Sequence, residues 1–163
     1  MIIAVAALLA AAQAEPLDPD LACVIDRVPE SARATVVEEA LSGGGGSARA
    51  AFRSATDACA RERSWNAEFA SGLGRIAMAV VLGEEAEVIL RRNGISPDLI
   101  HDWFNAQSVA VQQGEPSEEV GGRLIEHLQA QGIPLERLSA HAQTIGILLG
   151  ALNMIERIGA GLE

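Results

Sequence analysis

The sequence predicts an all-α, single-domain bundle of six to seven helices, for three reasons. Alanine and leucine are abundant among its apolar residues, whereas the chain holds only two Trp, three Phe and no Tyr. Apolar residues recur at the i, i+3, i+4 spacing of a helix face, and proline, serine and glycine separate these segments. No segment alternates convincingly between polar and apolar residues, as a half-buried strand would, so no sheet is expected.

The first 14 residues have the pattern of a secretory signal peptide. An unbroken apolar stretch covers residues 2–12, and the small residues Ala12 and Ala14 precede Glu15 as at a cleavage site. No Lys or Arg precedes that stretch, so an uncleaved tail or a misassigned start is the alternative. We expect residues 1–14 to be removed and residues 15–163 to form a periplasmic or extracellular helical domain. The apolar stretch is shorter than the ~20 residues of a membrane span, so no stable span is expected after cleavage.

The first predicted helix begins at Asp18 and Pro19, an N-cap residue followed by a first-turn proline. Pro29 ends that helix and opens a second, which the glycines at 43–46 end in turn. Ser47 is expected to cap a third helix. The two cysteines of the chain, Cys23 and Cys59, then lie on the first and third helices.

We predict one disulfide, between Cys23 and Cys59, because these are the two cysteines of a chain that is expected to be exported to an oxidising compartment. The alternative is a pair of buried free thiols in a cytosolic protein. Two isolated cysteines without a nearby histidine do not form a zinc site.

The four glycines at 43–46 are interpreted as a passive turn between two helices. A phosphate-binding loop needs a preceding strand and a following Lys-Ser or Lys-Thr, but here a helix is predicted before the glycines and SARAAF follows them. A flexible tether between domains is disfavoured as well, because the predicted disulfide would join its two sides.

The remaining segments are also predicted to be helical. Their predicted ranges are 66–92, as one helix or as two that join near Gly83, then 97–112, a segment after QGEPSEE, and 135–158. Asn93-Gly94 and Ser96-Pro97 form the clearest boundary between two of them.

Charge and motifs exclude several functions. The formal net charge of -10 repels nucleic acid and anionic lipid headgroups, so we expect no nucleic-acid partner. His101, His127 and His141 lie on different predicted helices, and neither HExxH nor Glu-x-x-His occurs. The acidic residues lack EF-hand spacing, and GxSxG is absent. We therefore assign no catalytic, cofactor-binding or metal-binding residue.

Two groups of residues are candidates for binding. Trp65, Phe69, Trp103 and Phe104 could line a pocket for an apolar ligand, although a core where helices cross is the favoured interpretation. The other group is a face of small residues on the last helix: Ala142, Gly146 and Gly150. Their spacing allows close approach of another helix.

We place the partner of that small-residue face in the same chain, with the last helix at the centre of the bundle. A monomer is therefore favoured and a homodimer is the alternative. Together these features favour an exported, non-catalytic binding or structural module with a protein or a small apolar molecule as its partner. The alternatives are an apolar-ligand carrier that uses the Trp65–Trp103 region, and an enzyme whose site one sequence does not reveal.

Overall fold

A computed structural model describes residues 18–43 and 46–161, and within these ranges the chain forms nine helices and no strand. The predicted all-α, single-domain fold is confirmed, and its buried apolar residues form one core cluster. The predicted signal-peptide cleavage site after Ala14 lies outside the described residues. The helices are α1 (Pro19–Arg27), α2 (Glu30–Leu41), α3 (Ser47–Arg63), α4 (Ala67–Arg92), α5 (Pro97–Asn105), α6 (Val109–Gln112), α7 (Glu118–Ala130), α8 (Leu135–Ala140) and α9 (Ala142–Gly159).

Two predicted helices are each divided in the structure. The segment 97–112 is divided between α5 and α6, because Ser108 adopts an extended backbone conformation. The segment 135–158 is divided at His141, which has φ −119° and ψ 15° and separates α8 from α9. The range 66–92, by contrast, is one helix: Gly83 continues α4 and is buried against Ala151 and Leu148 of α9.

The centre of the fold is α4, the longest helix, rather than the last helix. It packs against α1, α2, α3, α5 and α9. The expectation that α9 buries two faces is wrong for one of them. Its Leu and Ile face is buried against α4, whereas Ala142 and Gly146 on the other face are exposed.

The predicted disulfide is confirmed: Cys23 of α1 is bonded to Cys59 of α3, with 6.2 Å between the two Cα atoms. Cys59 is fully buried in the core. Two ion pairs, Arg27 with Glu62 and Asp20 with Arg63, join the same two helices at the surface. No helix in the described ranges is long and apolar enough to cross a membrane.

Among the helical glycines of the described residues, Gly74 of α4 allows the closest approach of a neighbouring helix, which is α3. A Cβ atom built on Gly74 of α4 would lie 2.6 Å from Oγ1 and 3.0 Å from Cγ2 of Thr56 in α3. The Thr56 hydroxyl donates to the Phe52 carbonyl at 2.8 Å, which fixes its rotamer. Position 74 therefore accepts only glycine without a shift of the two helices.

The start of α3 is capped by a side chain from α2, and the expectation that Ser47 is the cap is wrong. Ser47 is the first helical residue, and Gly46 before it has no side chain to offer. The carboxylate of Glu39 instead accepts hydrogen bonds from the Ala48 amide, at 3.0 and 3.2 Å, and from the Ser47 hydroxyl. These bonds lower the pKa of Glu39, with the Ser47 hydroxyl as the largest cause.

Replacing Glu39 with Gln is expected to lower the melting temperature at pH 7. A depressed carboxyl pKa contributes stability above the unfolded pKa, near 4.3, and that contribution is lost as the pH falls through the folded value. The loss on Glu39→Gln should therefore be largest above pH 5 and should shrink as the pH falls below the unfolded pKa, as thermal melts followed by circular dichroism would show. Glu38→Gln is the control, because Glu38 is exposed and its replacement removes the same charge. Equal losses in both variants at pH 7 would contradict the capping role.

Candidate ligand-binding groove

The four aromatic residues of the predicted pocket lie in two separate places. Trp65 and Phe69, at the α3–α4 junction, are half-buried and form an edge-to-face pair with 5.5 Å between ring centroids. Trp103 and Phe104 are buried in α5, which follows the opposite end of α4. Phe69 lies near the start of α4, and Glu87, the α4 residue that contacts α5, lies near its end. At a rise of 1.5 Å per residue, the two positions are roughly 27 Å apart along the helix. The structure therefore does not bring these rings together in one pocket.

The predicted small-residue face of α9 has no helix of the described chain against it. A Cβ atom built on Gly146 or on Gly150 would meet no atom within 4 Å, and Ala142 is exposed. The partner helix expected for this face is therefore not among the helices of residues 18–43 and 46–161. Gly150 is half-buried because it lies at the edge of a cavity.

That cavity, the α4–α9 groove, has a volume of about 280 Å³. It lies between the middle of α4 and the second half of α9, and the loop after α6 contributes one residue. Its lining is almost entirely apolar and consists of Met78, Ala79, Leu82, Pro116, Ile147, Gly150, Ala151, Asn153, Met154 and Arg157.

The shape of the groove follows from the positions of small and long side chains on α4 and α9. Ala79, Gly150 and Ala151 leave space between the helices that Leu82 and Ile147 border. The chain has three methionines, and the two within the described ranges, Met78 and Met154, both line the groove. Methionine is unbranched and polarisable, so it adapts its shape to different apolar molecules. The lining of the groove can therefore adjust its shape to different apolar molecules.

Asn153 is the buried polar residue of the groove, with 2% of its surface exposed. Its Nδ2 group donates to the backbone carbonyls of Val111 and Gln112, at 2.8 and 2.7 Å. Its Oδ1 atom is also buried, yet no group in the described ranges forms a hydrogen bond to it. The amide thus holds α6 against α9 with its donor and leaves its acceptor unused.

Two further contacts fix the segment around α6. The Gln112 side chain donates to the carbonyl of Phe104 at 3.1 Å, which ties α6 to the end of α5. Arg157, at the edge of the groove, forms an ion pair with Glu115 at 3.6 Å across the surface. This pair connects α9 with the loop that carries Pro116, but it is exposed and contributes little to the stability of that contact.

His101 lies on α5 and His127 on α7, as predicted, whereas His141 lies between α8 and α9 and not within a helix. One of the three, His101, has a half-buried acidic partner. His101 of α5 lies 2.8 Å, through Nε2, from Oε1 of Glu87 in α4. Partial burial and the charge of Glu87 raise the pKa of the nearby Glu84. Within residues 18–43 and 46–161, no three His, Cys, Asp or Glu side chains are placed to hold a metal ion. The His101–Glu87 pair joins α5 to α4, and neither residue is among those that line the groove.

Sequence reasoning found one residue of the groove, Gly150, and missed Asn153. No local pattern distinguishes Asn153, because its importance depends on carbonyls some forty positions earlier in the chain. Comparison of the chain with protein-family models, curated proteins and solved structures finds no match.

Proposed function

We propose that the protein is an exported, non-catalytic binding module whose α4–α9 groove takes a small apolar ligand. The observation that carries this proposal is the groove itself, which combines adaptable methionines with a nearly continuous apolar lining. Export is supported by the pattern of residues 1–14 and by the disulfide, because disulfides persist in oxidising compartments.

The volume of the groove limits the size of the ligand. Ligand pockets usually measure about 300–1,000 Å³, so a cavity of about 280 Å³ is small. A cavity of about 150 Å³ accommodates benzene, which suggests a ligand of roughly ten non-hydrogen atoms here. A medium-length aliphatic chain fits this limit, and a sterol or a phospholipid exceeds it.

Gly150→Leu is expected to block the groove while leaving the fold intact. The new side chain would occupy the cavity, since a Cβ atom at this position meets no atom within 4 Å. Titration with 1-octanol, followed through the methyl resonances of Met78 and Met154, should show saturable shifts in the native protein. The variant should bind at least tenfold more weakly.

Gly146→Leu is the matched control, because it makes the same change one helical turn earlier on an exposed part of α9. It should bind 1-octanol like the native protein. The absence of saturable shifts in the native protein would contradict the proposed function. Equal weakening in both variants would place the binding outside the groove. If Gly146→Leu instead altered the oligomeric state, measured by analytical ultracentrifugation, α9 would serve as a protein interface.

A further inference from the structure

Arg157 is the charged residue among those that line the α4–α9 groove. It follows Met154 by about one turn of α9, and long side chains in a helix point back toward its N-terminus. Because the lining is almost entirely apolar, Arg157 lines the groove with its methylene stem, and its guanidinium lies at the edge, beside Glu115. One edge of the groove thus carries a positive charge next to an apolar lining.

The ion pair between Arg157 and Glu115 is weak. Nη1 of Arg157 lies 3.6 Å from Oε1 of Glu115, which is longer than a hydrogen bond, and the Glu115 side chain is 90% exposed. Such a pair gains little, because two long side chains must be ordered in water to form it. A single contact at this distance uses little of the hydrogen-bonding capacity of a guanidinium, which has five N–H donors. Another carboxylate can therefore replace that of Glu115.

We infer that the groove binds a medium-length aliphatic carboxylate, with its alkyl chain beside Met78 and Met154 and its head group on Arg157 in place of Glu115. This inference rests on the proposed function and adds the chemical class of the ligand. A carboxylate accepts two parallel hydrogen bonds from a guanidinium. Because the alkyl chain is already held in the groove, the head group is ordered at a smaller entropic cost than the Glu115 side chain.

The net charge of the protein opposes an anionic ligand at long range only. The formal charge is -10, but at physiological ionic strength charges separated by more than about 8 Å are largely screened. The carboxylate would lie within hydrogen-bonding distance of the Arg157 guanidinium, so this attraction is screened much less.

The test measures by calorimetry the binding of octanoate, 1-octanol and octylammonium to the native protein at pH 7 and about 0.15 M salt. The three probes have alkyl chains of similar length, and their head groups are negative, neutral and positive at this pH. Octanoate should bind about fivefold or more tightly than octylammonium, because the head group meets a guanidinium.

Arg157→Met keeps an unbranched apolar side chain and removes the charge. It should weaken octanoate binding about fivefold or more and change the affinity for 1-octanol by less than about twofold. Arg92→Met is the matched control, because it removes the same charge from an exposed position at the end of α4. That position lies roughly 15 Å along the helix from Leu82 of the groove, so the affinity for octanoate should not change.

Glu115→Gln removes the carboxylate that octanoate is expected to displace. This variant should bind octanoate about twofold to fivefold more tightly and 1-octanol with unchanged affinity. Glu115 is exposed, so its replacement leaves the fold intact. The expected gain in affinity is a result that a loss of structure would not produce.

The outcomes separate this inference from the proposed function. If Arg157→Met weakens octanoate and 1-octanol equally, Arg157 contributes only its stem, and the inference is overturned while the groove remains a binding site. The inference is also overturned if octanoate binds the native protein no more tightly than octylammonium, or if Arg92→Met and Arg157→Met weaken octanoate equally. Unchanged octanoate binding in Glu115→Gln would overturn it too. If neither octanoate nor 1-octanol binds the native protein, the proposed function fails as well.

Discussion

Replacing both Cys23 and Cys59 with Ala is expected to lower the free energy of unfolding by about 4 kcal/mol. The disulfide joins residues 36 positions apart. In the chain-entropy model, a crosslink over a loop of that length removes about this much conformational freedom from the unfolded chain. Urea unfolding should show a lower midpoint, with a steeper dependence on urea because the uncrosslinked chain exposes more surface.

The native protein treated with a reductant is the control for lost side-chain volume, since it keeps both sulfur atoms and lacks the bond. It should lose nearly as much stability as the double variant. If the reduced and oxidised proteins unfold at the same urea concentration, the bridge does not stabilise the fold.

Gly74→Val is expected to destabilise the protein by about 3 kcal/mol, at the upper end of the cost of overpacking. The added Cβ atom would lie 2.6 Å from the Thr56 hydroxyl and 3.3 Å from the Thr56 Cβ atom, which no change of rotamer can move. Because α3 also carries Cys59, which is bonded to α1, it cannot shift without straining three helices. Urea or thermal unfolding measures the loss.

Gly146→Val is the matched control, because position 146 is also within a helix and has no neighbour within 4 Å of an added Cβ atom. It should change stability by less than about 0.5 kcal/mol. Adding Thr56→Ala to Gly74→Val should restore part of the loss, and a double-mutant cycle would measure this coupling. Equal stability of the two valine variants would show that α3 and α4 are not in close contact.

The sequence was sufficient where structure depends on local backbone chemistry. The Asp18 carboxylate accepts hydrogen bonds from the amides of Asp20 and Leu21, and Pro19 occupies the first turn, as predicted. Ser96 likewise precedes α5, which opens with a proline. The disulfide was predictable because two cysteines permit only one intramolecular pair.

Features that depend on tertiary packing were not predictable in the same way. The spacing of Gly146 and Gly150 suggested a close helix contact, yet the contact that requires glycine is at Gly74. A spacing rule identifies small residues, but it does not tell which side of a helix meets a neighbour. The same limit applies to Asn153. Its Oδ1 atom is left without a hydrogen bond only in the folded protein, where the Nδ2 group is bonded to α6.

The position of α9 in the chain has a consequence for the order of folding. Helices α1 to α4 are consecutive and pack on one another, so they can associate as soon as residues 19–92 are available. The contact between α4 and α9 joins segments that are far apart in sequence, and such contacts close a large loop and form slowly. Until then the face of α4 around Gly83 is exposed to water. We therefore expect the groove to be assembled late, and a nascent chain that lacks α9 to present an apolar surface that is prone to aggregate.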